Sequence, residues 1–140
     1  MEETKIMKLY RKMNDAYNKG YLKKAYFYQR VIRLIFSAEI PASVKLEEGV
    51  DLVHGGLGCV IHKRSVIGKN TKIYQNVTIG GKVDGGFPII GDNVVIGAGA
   101  VILGNVRIGN NSKIGANAVV LTDVPENAIA VGVPAIIKLK

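Results

Sequence analysis

Tryptophan is absent from this chain, and only three Phe and six Tyr supply aromatic rings. Six of those nine lie within the first 28 residues, so the rest of the chain must build its core from Ile, Val, Leu and Ala. A single cysteine, Cys59, excludes an internal disulfide framework and any multi-cysteine metal site; it suits a reducing compartment, with the cytoplasm as the expectation. Long apolar runs are missing too. The start, MEETKIMKLYRKMND, has no apolar h-region, and the run from Val31 to Phe36 is interrupted by Arg33, so neither a signal peptide nor a membrane span is expected. Histidine is scarce, with His54 and His62 the only two, which leaves no basis for a three-histidine metal site, and no metal is expected.

What is present is compact and basic. The 140 residues are 48% hydrophobic and 21% charged, enough apolar material for one core and too much for a disordered chain. Residues 1–38 hold nine basic and three acidic side chains, so +6 of the formal +8 belongs to an N-terminal arm. That arm reads as helix: Ile6, Leu9, Tyr10, Met13 and Tyr17 follow the i, i+3, i+4, i+7 spacing. Leu22, Ala25, Tyr26, Gln29, Ile32, Arg33 and Phe36 resume it after Gly20, which separates two helices, and Pro41 is expected to end helical character.

Beyond the arm the period changes to six. Ile61, Ile67, Ile73 and Ile79, then Ile90, Ile96, Ile102, Ile108, Ile114 and Val120, stand at successive stations, and Ile40, Leu46 and Leu52 keep the same step upstream. A period of six is neither a helix nor a hairpin array; it marks a hexapeptide solenoid, three hexapeptides to a triangular coil. Two residues before each station stands a small or β-branched residue, such as Cys59, Ser65, Thr71, Ala100 or Ala118, suited to a narrow interior corner. Three residues after the stations recur Asn70, Asn76, Asn93, Gly99, Asn105, Asn111 and Asn117, types that tolerate positive φ at a turn. Four to five coils are expected over residues 39–140, after an arm spanning 1–38. The rhythm breaks twice: three extra residues between Leu52 and Ile61, and five between Ile79 and Ile90, the latter making an extended loop over 80–88. Departures from a regular frame are where function is usually carried.

The segments VTIGG, IGAGAVILGNVRIGNNSKIGANAVVL and VPENAIAVGVPA resemble the left-handed β-helix acyltransferases, in the branch holding serine acetyltransferases and sugar or polysaccharide O-acetyltransferases. The resemblance covers residues 40–140. It implies an all-β fold, a left-handed parallel β-helix, with left-handed coiling taken from the family. It also implies a homotrimer that binds acetyl-CoA between neighbouring subunits, and a small-molecule hydroxyl acceptor. In serine acetyltransferases an Asp-His pair stands at the first break, where this chain has Val53-His54, and an Arg-His pair precedes the proline of the long loop, where it has Gly86-Phe87. Those groups hold a charged amino acid in that family, so their replacement favours a neutral hydroxyl, that of a sugar or polysaccharide precursor, with serine as the alternative acceptor. A non-catalytic solenoid binding module is the alternative of another class.

Acetyl transfer to an alcohol needs a base for the hydroxyl proton and a donor for the tetrahedral oxyanion. His54 lies inside the first break at the family's catalytic position and is assigned the base; Gly55, Gly56 and Gly58 around it are expected to let backbone approach a ligand closely. His62 follows an interior station and is expected to face outward without a chemical role. Cys59, in the small-residue column, reads as packing rather than as an acyl-accepting nucleophile. Gln75 and Phe87 are candidates for acceptor binding, the latter as a flat platform for a pyranose ring. By resemblance, Gly80 and Gly81 border the thioester, Ala98 and Ala116 line the pantetheine arm, and Thr122, Val133, Pro134 and Lys138 lie near the adenine and phosphates. No aromatic-basic interleaving accompanies the charged arm, so nucleic acid is not an expected partner; contact with anionic lipid or a membrane-bound glycan-assembly partner is the role left open for it.

Overall fold

A computed structural model describes residues 2–139 and shows two helices followed by fourteen short strands. Helices α1 (Lys5–Asn18) and α2 (Leu22–Phe36) pack against each other across a turn at Gly20, whose φ of +83° places it in the left-handed region. The arm does not float free. Helix α1 buries Ile6, Met7, Tyr10, Met13 and Ala16, and the Tyr10 hydroxyl donates to the Val44 carbonyl at 2.7 Å while accepting the Leu46 N–H at 2.9 Å. Helix α2 stops at Ser37, which adopts left-handed φ and ψ, four residues before Pro41. Of its expected apolar stripe only Ala25 and Ile32 are buried; Leu22 and Tyr26 are exposed.

The first coil comprises β1 (Lys45–Leu46), β2 (Asp51–Leu52) and β3 (Val60–Ile61); the second β4 (Val66–Ile67), β5 (Lys72–Ile73) and β6 (Thr78–Gly80). The third comprises β7 (Ile89–Ile90), β8 (Val95–Ile96) and β9 (Val101–Leu103); the fourth β10 (Arg107–Ile108), β11 (Lys113–Ile114) and β12 (Val119–Val120). A final hairpin, β13 (Ile129–Val131) and β14 (Ile136–Lys138), closes the stack and holds its only antiparallel pairing among the described residues. Three sheets result, with orders β1-β4-β7-β10, β2-β5-β8-β11-β13-β14 and β3-β6-β9-β12.

The six-residue period explains the stacking. Each station lies in register with the station one coil away, as in Ile61↔Ile79 and Ile79↔Ile102, so one column of branched side chains fills the axis. All ten stations from Ile61 to Val120 are buried. Burying each contributes roughly 1.5–3 kcal/mol before the chain entropy that opposes it. At the corners, Asn70, Asn76, Asn93, Asn111 and Asn117 do adopt positive φ, as does Gly99. Asn105 does not: β9 runs one residue longer, and Gly104, at φ +88°, makes the turn instead. The polar members of the interior column are mostly paired, since Thr71 donates to the Gly91 carbonyl at 2.9 Å and Ser112 to the Gly109 carbonyl at 2.7 Å.

Candidate functional site

The three extra residues after β2 fold into a tight turn, Val53–Gly56. Within it His54 takes φ 56°, ψ 33° and Gly55 φ 67°, ψ 20°, two successive left-handed residues, and Gly56 follows at φ 70°. A non-glycine residue in this region costs about 1–2 kcal/mol, and such strain persists only where the surroundings impose it. Here the surroundings are the arm. An added Cβ on Gly55 would lie 3.1 Å from Phe36 Cδ1, and one on Gly56 3.1 Å from Ile6 Cδ1. The glycines therefore admit the arm, and Gly58 admits the side chain of Asn76. The result is an exposed imidazole projected from a rigid turn, with the ring of Tyr74 edge-on to it at a centroid distance of 6.5 Å.

His54 sits on one edge of the prism, where the chain passes from the sheet of β2 to the sheet of β3. The same edge carries Gln75, Ala98 and Ala116 on successive coils. Backbone bonds tie these rungs together: Asn76 N–H to Leu57 C=O at 2.8 Å, Gly99 to Gln75 at 3.0 Å, and Asn117 to Ala98 at 2.8 Å. Above them the Gly132 carbonyl accepts from Val119 N–H at 3.0 Å, which places the exposed Val133 and Pro134 at the top of this edge. With ~4.8 Å between coils, His54 and Ala116 are separated by roughly 14 Å along a strip of small side chains. Gln75 is notable for its Oε1, which is buried without a hydrogen-bond partner. Lys138 lies apart, exposed on β14 opposite Ile129.

A second edge, where β3, β6, β9 and β12 end, carries Gly80, Gly81 and Thr122. The long loop projects from it and is closed by Lys82 N–H to Gly86 C=O at 2.7 Å. His62 is not simply outward-facing: its ring stacks on Phe87 at 5.8 Å with 4° between planes, and an added Cβ on Gly81 would lie 2.7 Å from it. The Arg64 guanidinium carbon lies 4.6 Å from the centroid of the same Phe87 ring, and the Arg64 N–H donates to His62 Nδ1 at 3.2 Å. Phe87 is thus engaged by its own chain. Arg64 and the loop-holding work of His62 escaped the sequence reading, because neither follows from the hexapeptide columns.

The two edges are one prism face apart, roughly 15–20 Å for five or six extended residues. A single chain therefore brings His54, Gln75, Ala98, Ala116, Val133 and Pro134 together on one edge and Gly80, Gly81, Phe87 and Thr122 on the other, without joining the two groups. A cavity of about 590 Å³, between the start of α1 and the first two coils, is lined by Glu3, Met7, Arg11, Asp51 and Lys72 among others and includes none of these residues. Cys59 is buried, its thiol donates to the Tyr74 carbonyl at 3.2 Å, and burial pushes its pKa up, so it is a packed, protonated thiol rather than a nucleophile.

A family profile described as bacterial transferase hexapeptide (six repeats) matches residues 87–122, the third and fourth coils. Serine acetyltransferase from Escherichia coli K12 is 39% identical over 132 residues, 92% of this chain and 48% of that protein. The one from Synechococcus elongatus is 45% identical over 105 residues, 73% of this chain and 43% of that protein. Among solved structures, serine acetyltransferase of Neisseria gonorrhoeae superposes with a TM-score of 0.90 at 39% identity, covering 96% of this chain and 54% of that one. This chain carries the repeats of the bacterial transferase hexapeptide family and is similar to serine acetyltransferases over most of its length.

The solenoid is the left-handed β-helix of that family. The likeness extends well beyond the matched profile, since the superposition covers 96% of the chain. A serine acetyltransferase solved in complex with CoA also superposes, with a TM-score of 0.88 at 40% identity over 95% of this chain and 55% of its own. The chain spans about half the length of the relatives it matches.

Proposed function

We propose that this hexapeptide-repeat chain is an acetyl-CoA-dependent O-acetyltransferase acting on the hydroxyl of serine. The observation that carries the reading is His54, held outside the coils on a strained left-handed turn, in a solenoid that superposes on serine acetyltransferases. The imidazole takes the serine hydroxyl proton as the oxygen attacks the thioester carbonyl carbon. The tetrahedral intermediate then collapses, the carbon–sulfur bond breaks, and the leaving thiolate takes the proton back from the imidazolium. Gln75 Oε1, buried and unpaired, is suited to accept a hydrogen bond from the acceptor's ammonium or hydroxyl. The strip of Ala98 and Ala116 offers small side chains beside which a thin pantetheine arm can run, with Val133 and Pro134 at its far end. Gly80, Gly81 and Thr122 belong to the other edge, so a complete site needs the edge of a neighbouring copy, which is the reason for proposing a homotrimer. A cytoplasmic location goes with this reading and with the free Cys59.

The relatives favour serine over the sugar acceptor that the sequence had put first. The sugar hydroxyl stays as the second reading because Val53 and Gly86-Phe87 supply no charge for an amino acid. Release of CoA thiol, measured with serine beside a panel of sugars and nucleotide sugars, decides between them. A kcat/KM for serine of ~10⁴ M⁻¹s⁻¹ or more, the range of efficient enzymes, supports serine. A sugar turned over faster than serine overturns it, and no thiol release with any acceptor, together with no thermal shift in acetyl-CoA, returns the chain to a binding module.

A further inference from the structure

The outward face of α2 combines exposed apolar side chains with basic ones. Phe27, Leu34 and Ile35 are 62%, 84% and 65% exposed, in a helix whose opposite side buries Ala25 and Ile32. Phe27 and Leu34 are seven residues apart and share one side of the helix, and Lys23 and Arg30 lie four before and three after Phe27 on that same side. Tyr21 and Tyr26, also exposed, flank the stripe. Helix α2 contains no acidic residue. In the neighbouring segments each acid is paired, Glu2 with Lys8, Glu3 with Arg11, Asp15 with Lys19, and Glu39 with Arg33. Among the described residues, Lys23, Lys24 and Arg30 have no carboxylate within the 4.0 Å of an ion pair.

We infer that this face of α2 is a docking surface for an anionic lipid bilayer, with the helix lying in the plane of the headgroups. The charge pattern selects the occupant. A second copy of the same face would set unpaired cations against cations, whereas phosphate and carboxylate headgroups neutralise them and the interface takes up Phe27, Leu34 and Ile35. Tyrosines at the margin of an apolar stripe suit that boundary, where one end of the side chain is apolar and the other wet. The packing of α2 on α1 holds the helix preformed, so no folding entropy opposes the docking. The surface is independent of the acetyl-transfer reading, since none of its residues belongs to either edge of the solenoid site.

Because the chain lacks tryptophan, Phe27→Trp introduces a single reporter on this face. Its emission is expected to shift to the blue with vesicles of phosphatidylcholine and phosphatidylserine, and not with phosphatidylcholine alone. Co-sedimentation of the full chain with the mixed vesicles is expected to fall roughly tenfold or more in K23E/R30E and in F27S/L34S, and to be lost at high salt. Thermal melts report that these exposed substitutions leave the fold intact. No blue shift, or vesicle binding indifferent to both double variants, overturns the inference. A lower mass for F27S/L34S than for the wild type by light scattering without vesicles also overturns it, since the face is then an interface between copies.

Discussion

The imidazole of His62 lies parallel to the ring of Phe87, with centroids 5.8 Å apart, and so joins the end of β3 to the base of the long loop. Aromatic pairs of this kind contribute ~0.5–1.5 kcal/mol beyond the area they bury. His62→Ala is therefore expected to loosen the 80–88 loop rather than to remove a proton carrier. Hydrogen exchange of the loop amides should quicken, and KM for the acceptor should rise severalfold while kcat stays within about threefold. A loss of kcat of ~10²-fold or more would make His62 the base.

His54 makes the opposite prediction. His54→Ala is expected to lower kcat by ~10²–10⁴-fold with little change in acetyl-CoA affinity, because a general base does not hold the donor. His54→Gly should show the same loss of turnover but a higher melting temperature, since glycine relieves ~1–2 kcal/mol of left-handed strain. Steady-state rates, donor titration and a melt on the two variants check all three statements.

Tyr10 anchors the arm to the first coil through one donated and one accepted bond, to Val44 and from Leu46. Tyr10→Phe leaves the buried Leu46 N–H unpaired and the Val44 carbonyl with only the longer bond from Asn14 Nδ2 at 3.4 Å, and is expected to cost ~1–3 kcal/mol in denaturant unfolding. Burial pushes the pKa of Tyr10 above its ordinary 10.0. Below that ordinary value both folded and unfolded states keep the proton, and stability is insensitive to it. Above it the unfolded state releases the proton first, so stability falls with rising pH through the folded pKa. Alkaline unfolding should accordingly be shallower in Tyr10→Phe than in the wild type.

The two separated edges of the solenoid predict the assembly. Light scattering at micromolar concentration is expected to give three times the 15.1 kDa chain mass or a multiple of that trimer. A monomer that still turns over would show that one chain completes the site alone.

The repeat was legible from the sequence because its cause is local. A branched residue every sixth position can be buried only if the chain turns three times per coil, and the Asn and Gly positions mark those corners by their tolerance of positive φ. The break holding His54 was legible for the same reason, as a count that failed. Tertiary structure alone decided what no count contains. Gly55 and Gly56 pack against Phe36 and Ile6, some twenty and fifty residues away, so the arm braces the His54 turn. The rings of His62 and Phe87 meet across 25 positions because a loop of no fixed period folds back. Residues that resemblance had gathered into one site lie on two edges of a prism, because a coil of three faces carries them a side apart. The sequence by itself determined the coils, since each station answers to its own neighbours six residues away; which side chains meet between coils, arm and loop depends on the three-dimensional stacking of all of them.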